Sequence, residues 1–263
     1  MPRFAVGINA SRTPSWSLLG FNHAPMVTKA LPSPKQAAIT PGWSAQNLAN
    51  RSSRRPALAR KPVQYDFSPN ALFRGGENYS LNACVGENGG PYDLRDYGQG
   101  FFDGARAIVD AAKTMKIPVD VAIYPAAFAY RHGIELYLKC FLAELTIFTG
   151  IDVKPEKNRG IMEYVGRIKD MLSKSNAKIA DPEQVALVAS IIKDFDQIDP
   201  TGQVFRYPED IKGNPHLTGL GLINVAVLED GMATLHNIME TWIYHLRTLQ
   251  DYKNEWADEN RDD

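Results

Sequence analysis

Tyr124-Pro125-Ala126-Ala127-Phe128-Ala129-Tyr130-Arg131-His132-Gly133-Ile134-Glu135-Leu136-Tyr137-Leu138-Lys139 opens the most apolar stretch of the chain. At about 100° per residue from Arg131, Glu135, Lys139 and His132 fall at about 40°, 80° and 100°. Ile134, Leu136, Tyr137, Leu138, Cys140 and Phe141 occupy the rest of the circumference. A helix that is ionic on one side and apolar on the others belongs at the centre of a bundle. Pro125 suits a first helical turn and Gly150 a stop, so the pattern predicts a helix over 124–148.

Working outward, four further segments carry helical spacing. Residues 97–116 place Phe101, Phe102, Ala105, Ile108, Val109 and Ala112 three and four apart, before Pro118. Residues 158–173 put Ile161, Met162, Val165, Ile168, Met171 and Leu172 on one face. Asp181 is a natural cap for a helix with Pro182 at its first position. Residues 222–249 form the longest segment, about 40 Å at 1.5 Å per residue. Its apolar residues, Ile223, Val225, Val227, Leu228, Met232, Leu235, Ile238, Met239, Trp242, Ile243, Leu246 and Leu249, cover more than one face, which predicts a homodimer that buries the surplus. Without convincing strands, the expected fold is an all-α helical bundle over 97–253, interrupted by one long irregular loop over 196–221.

The bundle is expected to follow a disordered basic arm over 1–65 and a loop or linker over 66–96, and to end in an acidic tail over 254–263. The arm holds nine of the 29 Lys and Arg residues and none of the 30 carboxylates, which leaves a balance of -10 for the remainder. Its prolines and serines, with no periodic apolar residues, cannot bury enough surface to offset ordering. The Arg54-Arg55 pair suits phosphate contacts with RNA or DNA, and an unstructured basic arm is also simply solvated. Its Arg- and Ser-rich, acid-poor composition also fits a transit peptide, or upstream sequence before a start at Met26.

The cysteines, Cys84 and Cys140, are too few for a disulfide framework, so a reducing, cytoplasmic setting is expected. The apolar run 134–148 contains Glu135, Lys139 and Glu144 and is shorter than the roughly 20 residues of a membrane span, so no membrane association is expected. No phosphate-binding glycine loop, zinc-finger spacing or serine-nucleophile elbow occurs, and no cofactor is expected.

The ionic stripe of the 124–148 helix has two readings. Arg131, Glu135 and Lys139 are spaced as ion pairs on a wet face, each pair contributing about 0.2–0.5 kcal/mol. Alternatively the stripe faces a cleft or partner, where desolvated charges need one another and shift His132. His236, Glu240 and His245 have partial metal-ligand spacing, but core or surface histidines explain them better than a metal site. Asp194, Asp196 and Asp199 form a carboxylate cluster, and Asp196 and Asp199 are equally natural as cap and turn residues before Pro200.

The 124–139 motif, followed by Phe205-Arg206-Tyr207-Pro208-Glu209-Asp210, resembles bacterial proteins related to the HEPN superfamily. These share an arginine-histidine pair, a glutamate and a lysine on one helix, then a Phe-Arg-Tyr-Pro loop before a long C-terminal helix. The resemblance covers about residues 97–253. It implies an often dimeric helical bundle, in many members a metal-independent ribonuclease of toxin-antitoxin or phage-defence systems. Carried over, Arg131, His132 and Glu135 become candidate catalytic residues, and Lys139, Arg206 and Tyr207 candidate binding residues, with RNA or a protein partner such as an antitoxin as ligand. The family's usual nuclease signature, an arginine four to six residues before a histidine, is not matched: Arg131 and His132 are adjacent, and nine residues separate Arg206 from His216. The alternative function is a non-catalytic dimeric protein-interaction module. The two motifs together predict that the Phe205–Pro208 loop folds over the helix from Tyr124 and sets Arg206 beside Glu135.

Overall fold

The computed structural model describes residues 64–86, 88–89, 92–151, 160–175 and 177–259. The arm expected over 1–65 therefore lies, but for Gln64 and Tyr65, outside the described residues, as do the last four residues of the tail. Within them the protein is an all-α bundle of five helices: α1 (Leu94–Lys113), α2 (Val119–Thr149), α3 (Ile161–Lys174), α4 (Pro182–Ile198) and α5 (Val225–Glu259). The described residues contain no strand, only one isolated bridge between Glu209 and Pro215. None of these helices is long and apolar enough to cross a membrane.

Helix α1 starts at Leu94, inside the stretch expected as loop. Asp93 accepts from the backbone N–H groups of Arg95 and Asp96, and Asp96 accepts in return from the N–H of Asp93. This reciprocal pairing satisfies donors that a helix start leaves open. Helix α2 begins at Val119, with Pro118 at its cap, so Pro125 lies inside the helix and not in its first turn. The proline contributes no N–H to the carbonyl of Val121, and the surrounding helix tolerates that loss. At the other end Gly150 adopts a φ of 68°, the left-handed stop that glycine favours.

Helix α4 is capped as the sequence suggests, with the Asp181 carboxylate accepting from Glu183 N–H and Pro182 next to it. Asn224 caps α5 by accepting from Ala226 and Val227. Helix α5 continues through most of the expected acidic tail and spans 35 residues, about 52 Å.

Helix α2 is the axis of the bundle and packs against α1, α3 and α5, with α4 closing against α3 and α5. Ile134, Tyr137, Leu138, Phe141 and Leu145 are fully buried. Helices α1 and α2 cross at two glycines. A methyl group on Gly98 would stand 2.8 Å from the Tyr137 ring, and one on Gly133 2.7 Å from the Phe102 ring. Of the α5 apolar residues from which a dimer was expected, Val227 alone is exposed. The rest are buried or half-buried within one chain.

Candidate functional site

The ionic stripe of α2 is neither a plain wet face nor an open cleft. Arg131 is only 4% exposed and turns toward the head of the long loop, where its Nε–H donates to the Asp199 carbonyl at 3.2 Å. Its Nη1 lies 3.6 Å from Glu135. Asp199 is itself fully buried at the end of α4, and its Oδ1 accepts from the N–H groups of Gln203 and Val204. Arg131 thus ties the central helix to the turn that launches the loop. Burial raises the Asp196 carboxyl nearby, with Arg131 opposing the shift and Asp199 reinforcing it.

Glu135 and Lys139 complete the stripe, half-buried, with Lys139 Nζ 2.5 Å from Glu135 Oε1. Burial pulls the lysine pKa down, but its bond to Glu135 and the attraction of that carboxylate outweigh it, and the net shift is upward. Lys139 also lies over the Tyr164 ring, 5.9 Å from its centre.

His132 is half-buried between two aromatic rings. The Phe101 ring meets it edge-on at 4.5 Å and Phe128 lies nearly parallel at 6.2 Å. Burial holds its pKa below the ordinary histidine value, Glu135 opposes that shift, and Lys139, Arg131 and Arg206 reinforce it. The imidazole is therefore neutral at neutral pH.

Arg206 does not reach Glu135. Its guanidinium lies over Phe128 at 5.4 Å and over Tyr207 at 5.2 Å, and Nη2 donates to the Tyr207 hydroxyl at 3.3 Å. The expected loop does fold over the first half of α2, but Arg131 already engages Glu135 from within the helix, and a cation stacked on rings needs no carboxylate. The loop is internally built. Backbone N–H groups of Arg206 and Tyr207 both donate to the Gln203 carbonyl, and His216 N–H donates to Pro208. Asp210 accepts from Lys212 and Asn214. The mostly buried Phe205 anchors the loop against Phe195, with ring centres 6.2 Å apart.

Between loop and helix runs a groove of about 400 Å³ lined by Tyr124, Pro125, Phe128, Phe205, Arg206 and Tyr207. Sequence reasoning placed Arg206 and Tyr207 near this helix but missed its aromatic wall. The signal was there, since Tyr124, Phe128 and His132 recur every fourth residue and so share a face.

His236 and His245 have separate partners. His236 is 5% exposed, stacks on Phe102 at 4.5 Å and sits 2.8 Å from the Tyr137 hydroxyl. His245 Nδ1 lies 3.1 Å from the Ile179 carbonyl. Tyr137 also donates to Glu240, which pairs with Arg95, so the α1–α2–α5 junction encloses a closed polar network. Sequence reading did not find it.

The fold and this face define an all-α bundle with a cationic, aromatic groove beside a neutral histidine. No family model, no curated protein and no solved structure matches the chain.

Proposed function

We propose that the face formed by α2 and the Phe205–Pro208 loop binds single-stranded RNA. The observation that carries this reading is Arg206, exposed at the mouth of the groove, held over two rings and forming no ion pair among the described residues. Its remaining N–H donors suit phosphate, and the exposed rings of Tyr124 and Tyr207 suit unstacked bases, the two chemistries that single-stranded nucleic-acid sites combine. The resemblance to HEPN-related proteins supports the same ligand and a bacterial defence or toxin-type setting.

Cleavage is the further step of this reading. In metal-independent RNA cleavage the 2′-oxygen bonds to the adjacent phosphorus as the bond to the 5′-oxygen breaks, a base takes the 2′-hydroxyl proton and the leaving 5′-oxygen takes a proton from water; neutral His132, next to Glu135, Arg131 and Lys139, is the candidate base. His132 does not line the groove, however, because Phe128 stands beside it, and the geometry supports binding more strongly than cleavage.

Fluorescence anisotropy with labelled single-stranded RNA tests the binding reading. Arg206→Ala should weaken binding about tenfold or more, and a wild-type chain that does not bind at low salt would refute it. His132→Ala, assayed for loss of cleavage with binding retained, isolates the catalytic step.

The interaction-module reading draws on a different observation. Residues 64–86 are exposed throughout, and Phe67, Leu72, Phe73, Tyr79 and Leu81 are each between 65% and 85% exposed. The turn is nevertheless organised, with Asn82 bridging to both N–H and carbonyl of Gly76. Sedimentation of the full chain with and without Phe73→Asp distinguishes this use of the segment, since a dimer lost in the variant supports it and a monomer in both removes it.

A further inference from the structure

We infer that the groove is a single-nucleotide site, which takes one base together with the one phosphate beside it; this rests on the RNA-binding reading above. Three features limit its footprint. The first is the number of stacking surfaces, because of the six residues that line the groove only Tyr124 and Tyr207 have exposed rings. The second is charge. Arg206 is the groove's one cationic lining residue, while Arg131 is turned inward to Asp199 and Lys139 is engaged by Glu135.

The third feature is the charge next to the site. Glu209 and Asp210 follow the loop motif directly. Immediately past Arg206 the loop therefore meets a second phosphate with carboxylates. A ligand with one flat ring and one phosphate satisfies both chemistries of the site at once. Tyr207, half-exposed, and Tyr124 offer the stacking surfaces, and Arg206 is held for the phosphate by Phe128 and by the Tyr207 hydroxyl.

The test is competition against a labelled oligouridylate on the full chain. Unlabelled competitors are uridine 5′-monophosphate, uridine, inorganic phosphate, and a dinucleotide with and without a 5′-phosphate. The expected result is complete displacement by the monophosphate, at an affinity within about tenfold of the oligomer, with uridine and phosphate each far weaker. Arg206→Ala should reduce the log–log salt slope of oligomer binding by about 0.7, the value for one phosphate on a single strand.

Arg206→Ala and Tyr207→Ala should each weaken the monophosphate roughly tenfold or more, and Arg206→Lys, which keeps charge but not planarity, should be intermediate. Far-UV circular dichroism confirms that each variant is folded. The two dinucleotides separate a free nucleotide or phosphorylated chain end from an internal unit. If Arg206→Ala weakens the oligomer while the monophosphate neither binds nor competes, the single-nucleotide site is overturned and RNA binding is left in place. Failure of every nucleic-acid ligand to bind would remove both.

Discussion

The junction of α1, α2 and α5 and the face between α2 and the Phe205–Pro208 loop are built from the same side-chain types, with opposite outcomes. Each holds a histidine against aromatic rings, an arginine and a glutamate. At the junction every charged or polar group closes on another: Tyr137 on His236 and Glu240, and Glu240 on Arg95. On the loop face the buried Arg131 donates to the Asp199 carbonyl and lies beside Glu135, but Arg206 finds rings and a tyrosine hydroxyl and, among the described residues, no carboxylate. Composition alone therefore does not tell an enclosed charge from one left open; the partners that each finds within the chain do.

The contrast breaks first, and most strongly, at the helix crossing. Gly133→Ala would drive a methyl group into the buried Phe102 ring, on which His236 stacks, and should cost about 3 kcal/mol. Urea unfolding measures it, and a neutral result would mean that the crossing is looser than described. Tyr137→Phe comes next. It leaves His236 and Glu240 without their shared hydroxyl and should cost about 2 kcal/mol, with helicity retained by circular dichroism.

A smaller effect is the pH dependence of the junction. Burial, first, holds His236 below the ordinary histidine pKa; Glu240 and Asp103 oppose that shift, and Arg106 and Arg95 reinforce it, around the Tyr137 hydroxyl. The unfolded chain thus binds the proton more tightly than the folded one. The stability this contributes is full above about pH 6.5 and is lost as the pH falls below it. Unfolding midpoints at pH 7 and 5 should differ less in His236→Gln than in the wild type, with a residual slope from His132, whose pKa is lowered in the same direction. The smallest stability effect belongs to Arg206→Ala. Exposed and outside any ion pair among the described residues, it should change the unfolding free energy by no more than about 0.5 kcal/mol while weakening RNA binding. A large destabilisation would assign Arg206 to the structural class instead.

Much of the bundle was legible because helical spacing and caps are local. The Asp181-Pro182 start of α4 and the Gly150 stop of α2 follow from chemistry within a few residues. The α2 start was misread because Pro125 has first-turn chemistry, and nothing local shows that a helix already under way tolerates it. The α1 start was missed because its box uses aspartate at both positions. For the candidate site, spacing put Arg131, His132, Glu135 and Lys139 on one side but could not say what covers that side. The answer comes from Asp199, 68 residues further on, and from a loop conformation that repeats no pattern. Arg206 was sent to the wrong partner for the same reason, since charge complementarity suggested Glu135 where geometry provides Phe128.

The polar closure at the junction also has a kinetic meaning. Helices α1 and α2 are joined by only five residues, 114–118, so their pairing is a local event that precedes long-range contacts. Tyr137 receives His236 and Glu240 only when α5 arrives from about a hundred residues away, after the chain between has been ordered. If local pairing comes first, α5 is expected to dock on the native side of the folding barrier. Tyr137→Phe should accelerate unfolding and leave the refolding rate nearly unchanged, giving a φ-value close to zero, whereas substitutions at the α1–α2 crossing slow refolding itself.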